Sequence, residues 1–111
     1  MTNYRFVPAS ERPGADYAIR LEDDALAPLV PKGRTVYLQR SAELQNGEVG
    51  LFRSRDGMVF RQFCQDIRGT VYLFALDREE RYRDLVFPPE APLPVCYGRV
   101  LLEHLPELPI D

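Results

Sequence analysis

Apolar and polar residues alternate along this chain in short strand-like runs, and no long stretch holds a helical period. Tyr17, Ile19 and Leu21 alternate with Ala18, Arg20 and Glu22, which predicts a half-buried strand. Thr35-Val36-Tyr37-Leu38-Gln39 follows the Pro31/Gly33 turn as a second strand. Asn46-Gly47 marks a tight turn ahead of Glu48 to Arg53. Asp56-Gly57 predicts a two-residue hairpin turn, since both residues tolerate the positive φ of a type I′ turn. It joins Leu51-Phe52-Arg53 to a strand from Met58 to Cys64. Gly69 separates that strand from Thr70 to Leu76, and a last strand is expected from about Val95 to Glu103. Prolines gather in the loop Phe87 to Pro94 and in the tail after Leu105, where they break no ladder. Only Leu26 to Leu29 hints at a helical turn. The expectation is one mostly antiparallel β domain over residues 1–111, a sandwich or a partly open barrel.

Composition narrows the functional classes. The chain has 111 residues, 45% of them hydrophobic, enough for a single core. No run approaches the roughly 20 apolar residues of a membrane span. The start, Met1 to Phe6, lacks the basic-then-apolar layout of a secretory signal, so a cytoplasmic protein is expected. A net charge of −3 argues against a grip on nucleic acid, which needs a basic footprint. The arginines of Asp77 to Asp84 are interleaved with acids, as in a solvated loop. Cys64 and Cys96 lack metal or redox spacing and read as buried small hydrophobes. His104 is the only histidine, so neither a metal nor a cofactor is expected.

The segment Asp16 to Pro28, with Asp23-Asp24-Ala25-Leu26-Ala27-Pro28 at its end, resembles the nucleophile region of the LexA/UmuD-type self-cleaving Ser–Lys peptidases. That family reads strand, then Gly-Asp-Ser-Met-x-Pro, then a turn. Asp24 and Pro28 match, and Val30-Pro31-Lys32-Gly33 supplies the turn. The glycine has become Asp23, the serine Ala25 and the methionine Leu26. The likeness runs from about Tyr4 to Leu102. Gln45 to Phe52 and Arg55 to Phe63 resemble the next two elements, and the lysine position falls on Arg61. Leu73-Phe74-Ala75-Leu76-Asp77, Tyr82 and the closing Gly98-Arg99-Val100 follow in the family's order. The resemblance implies the β-clip fold of a LexA C-terminal domain. Regulators of this kind carry a helix-turn-helix domain for DNA, and no part of this chain matches it.

Such a domain is expected to be catalytically inert. A methyl group at position 25 cannot attack a carbonyl. Arginine at position 61 cannot act as the base, because its guanidinium keeps its proton. Lys32, the only lysine, falls in a turn where nothing would lower its pKa. Ser10, Ser41 and Ser54 read as turn residues, and Cys64 with His104 would need a tertiary accident. Gly14-Ala15 reverses the family's cleavage dipeptide and lies too close to Ala25 to serve as one. Asp23 and Asp24 are read as caps of the following turn, with an acid–base or cation role as the rarer alternative.

Arg61 shares a strand face with Val59 and Phe63, so it is expected to point inward or into the former cleft. A structural clasp from Arg61 to Asp23 or Asp24 would satisfy it there; an exposed arginine covering apolar surface is the alternative. The function expected is a non-catalytic, homodimeric domain of a bacterial transcriptional regulator, as its C-terminal part or free-standing. DNA would be reached only through a domain outside this chain. An apolar last strand, Val95 to Leu102, is expected to need covering by a second copy, with a strand wholly interior to the sheet as the alternative. Two alternatives stand beside it: a module binding an extended peptide in the former cleft, and an active serine peptidase with another dyad.

Overall fold

The computed structural model describes residues 4–9, 11–40, 43–55, 57–76 and 83–109. Among these residues eight strands are formed: β1 Val7–Pro8, β2 Tyr17–Arg20, β3 Thr35–Gln39, β4 Val49–Ser54, β5 Gly57–Gln65, β6 Val71–Phe74, β7 Leu85–Phe87 and β8 Cys96–Val100. They make one continuous sheet in the order β1-β2-β3-β8-β4-β5-β6-β7, with every pairing antiparallel. Of the two expected arrangements this is the open one, with β1 and β7 at its ends.

The period-2 pattern explains which face is buried. Cross-strand pairs Tyr17–Leu38 and Ile19–Val36 put the alternating apolar side chains of β2 and β3 on one side. Val100 pairs with Leu38, and Leu51 with Phe60, so this side continues across the sheet. It gathers Tyr4, Ile19, Leu21, Ala25, Leu26, Val36, Leu38, Val49, Leu51, Phe60 and Val100 in the main core. A second cluster on β4 to β6, Phe52, Val71 and Leu73, is flanked by Val59, Phe63, Leu85 and Phe87.

Several sequence expectations shift. The last strand is not an edge: β8 lies between β3 and β4, so its apolar residues are covered by neighbours within the chain. The argument that this strand needs a second copy therefore fails. Ser54 pairs with Gly57, so the β4–β5 reversal falls ahead of Gly57 and not across Asp56-Gly57. Asp56 itself lies outside the described residues, as do Met1 to Asn3, Ser10, Ser41 and Asp77 to Tyr82. The pattern also passed over β1 and β7, which are only two and three residues long. Periods cannot be read from so few positions.

The turns between strands follow the local chemistry. Gly47 has φ +95°, and the Glu48 N–H donates to the Gln45 carbonyl at 3.0 Å across the expected Asn46-Gly47 turn. The side chain of Asn46 then acts as an extra peptide group. Its Oδ1 accepts from the Gln65 N–H at 2.7 Å, and its Nδ2 donates to the Gln65 carbonyl at 3.1 Å. At the β5–β6 turn, Asp66 Oδ1 accepts from the Arg68 and Thr70 amides while Gly69 takes φ +94°.

Candidate functional site

The segment between β2 and β3 carries Ala25, the position that the sequence resemblance aligns with a nucleophile, and backbone bonds close it at the base. The Leu21 N–H donates to the Arg34 carbonyl at 2.9 Å, and the Gly33 N–H to the Leu21 carbonyl at 2.8 Å. Gly33 has φ +93°, a conformation that glycine adopts without steric cost. The hinted helical turn is present as a single turn: the Val30 N–H reaches the Leu26 carbonyl at 2.9 Å. Lys32 is exposed on this segment, as expected.

Within it, Asp23 is the organising residue. Its Oδ1 accepts from the Ala25 N–H at 3.1 Å, the bond of a cap on a turn, and its Oδ2 accepts from the Tyr4 hydroxyl at 2.7 Å. The Asp24 carbonyl accepts from the Ala27 N–H at 2.9 Å. Ala25 is only 4% exposed and Leu26 is wholly buried, both in the main core with Tyr4 and Phe60. The rings of Tyr4 and Phe60 meet at 4.9 Å with a 58° tilt. Tyr4 was not singled out by the sequence. Its only signal is the apolar spacing of Tyr4 and Phe6 at the start of the matched segment.

Arg61 is 5% exposed, so its inward orientation is realised. Its Nη1 donates to the Phe60 carbonyl at 2.8 Å and its Nε to the Arg83 carbonyl at 3.0 Å. These bonds do not include the expected clasp to Asp23 or Asp24. Main-chain carbonyls thus accept from two of the donors of this buried guanidinium. On β5 next to it, Gln62 is 1% exposed and ties the C-terminal tail to the sheet, donating from Nε2 to the Gly47 carbonyl at 3.1 Å and the Pro106 carbonyl at 2.6 Å.

Other candidate nucleophiles lie elsewhere. The Ser54 hydroxyl donates to the Gly57 carbonyl at 2.8 Å, holding the hairpin turn. Cys64 is buried on β5, whereas His104 is exposed on the tail. Cys96 is half-buried, and burial pushes its thiol pKa up against smaller lowering influences from the Gly98 backbone and Arg99. A thiol held neutral in this way is a weak nucleophile.

The closing Gly98-Arg99-Val100 has a structural reason at each position. A Cβ on Gly98 would sit 2.9 Å from the Gln39 carbonyl oxygen of the adjoining strand. Arg99 Nη1 pairs with Glu48 Oε2 at 2.7 Å, linking β8 to the start of β4, and Val100 is a core residue. A family model described as Peptidase S24-like matches residues 2–101. No curated protein matches the chain.

Proposed function

This chain belongs to the Peptidase S24-like family, and we propose that it is a member that no longer cleaves peptides and serves a bacterial transcriptional regulator as a homodimeric domain. The observation that carries the reading is the chemistry of the two side chains at the positions that the resemblance aligns with nucleophile and base. Ala25 has no nucleophilic atom, and Arg61 cannot give up a proton to become a base. Both are buried, at 4% and 5% exposure. Arg61 donates to two main-chain carbonyls, the role of a structural cation. The family resemblance supplies the regulatory and dimeric context, in which two-fold symmetry presents paired DNA-binding domains to two half-sites. DNA contact would belong to such domains, outside this chain.

The test is labelling with a fluorophosphonate probe, which marks activated serines. The natural chain is expected to give none, and so is Ala25→Ser, because no base reaches the new hydroxyl. Labelling of either protein would overturn the reading and favour an active serine peptidase. The peptide-module alternative called for an open sheet edge beside Ala25. Over Tyr17 and Ala18 that edge of β2 is already paired with β1.

A further inference from the structure

We propose that the N-terminal segment, residues 4–8, is the standing occupant of the former site, latched there by Tyr4 and Asp23; this rests on reading Ala25 as the former nucleophile position. A working nucleophile must be open on its substrate side, and the amides around it must be free to donate to the developing oxyanion. Both conditions are denied here by groups of the chain itself. Val7 and Pro8 add to β2 by strand pairing, opposite Ala18 and Tyr17. Upstream of them, Tyr4 enters the core that holds Ala25 and packs its ring on Phe60. Its hydroxyl donates to Asp23 Oδ2 at 2.7 Å, and the other oxygen of that carboxylate takes the Ala25 N–H at 3.1 Å.

The Asp23 carboxylate is thus an internal anion seated on the amide of residue 25, where a substrate oxyanion would seek a donor. Tyr4 holds that carboxylate in place and brings the N-terminal segment against the same turn. The consequence is a closure separate from the loss of serine and lysine. An external peptide could reach this turn only by displacing Tyr4 from it, and restoring the two catalytic side chains would leave the site shut.

The experiment places a reporter thiol at the turn. The Ala25→Cys protein is treated with iodoacetamide in its folded state, and the modified sites are assigned by mass spectrometry. Cys64, buried on β5, reports global unfolding in the same sample. With the latch intact, the reporter thiol should be as protected as Cys64. Adding Tyr4→Ala should speed modification of the reporter by about tenfold or more while Cys64 stays protected, as for a local opening. Free reaction of the reporter with the latch intact would overturn the proposal, as would equal protection with and without Tyr4. If Cys64 reacts in step with the reporter, Tyr4→Ala has unfolded the chain, and Asp23→Ala decides instead. That change cuts the latch and spares the core ring; exposure of the reporter alone supports the proposal and continued protection ends it. Serine labelling of the natural chain would sink the non-catalytic reading while leaving this thiol measurement to stand by itself.

Discussion

At the scale of single residues, burial decides what a polar side chain can do. Arg61 illustrates this: backbone carbonyls of Phe60 and Arg83 accept hydrogen bonds from its guanidinium, which helps to hold that charge in the interior. Asp23, which stands where the resembling family has glycine, uses both carboxylate oxygens in a local network. Gly98 is the residue whose replacement the geometry forbids most directly. Its missing Cβ would lie 2.9 Å from a backbone oxygen, which cannot swing aside as a side chain could. Gly98→Ala is therefore expected to destabilise the domain by about 1–3 kcal/mol, through forced separation of β3 and β8. Urea unfolding of the two proteins measures this, with an unchanged denaturant slope if only packing is at fault.

Elements in this chain are held as much by their ends as by their ladders. β4 and β5 stay paired beyond the regular strand: the Gly47 N–H donates to the Phe63 carbonyl and the Phe63 N–H to the Glu48 carbonyl, each at 2.8 Å. Asn46 then continues the ladder with its side-chain amide on Gln65. Asn46→Ala removes two bonds at an exposed site where water replaces part of their strength. The expected loss is about 1 kcal/mol, seen as a lower urea midpoint. Amide exchange should rise at Gln65 before it rises in the middle of β5, because the strand would fray from this end.

At the scale of the whole molecule, the strand order governs what the surface offers. With β8 enclosed between β3 and β4, only β1 and β7 end the sheet. Val86 on β7 is 56% exposed, and Leu93 and Val95 in the following loop are similarly open. Dimerisation is thus expected to engage a sheet end or such apolar surface and not the last strand. Sedimentation at high micromolar concentration should show a species of twice 12.8 kDa. A monomer throughout that range would remove assembly from the proposed function while leaving the non-catalytic reading in place.

Strand positions from Thr35 to Gln39 and from Met58 to Cys64 were legible because alternation and turn residues are local properties of a chain. That position 25 carries no nucleophilic atom and position 61 no removable proton was also legible, since a side chain's functional groups go wherever it goes. Local pattern could not place β8 at the centre of the sheet, because its partners lie tens of residues away and strand order is a matter of long-range pairing. Nor could it foresee that Tyr4 would meet Asp23, a contact across 19 residues that exists only once β1 has joined β2. Arg61 shows the division within one residue. Its place on an inward face followed from period 2, whereas its carbonyl partner at Arg83 required β5, β6 and β7 to assemble first. A buried guanidinium takes whichever acceptors the packed fold brings within reach, and only the tertiary structure decides which those are.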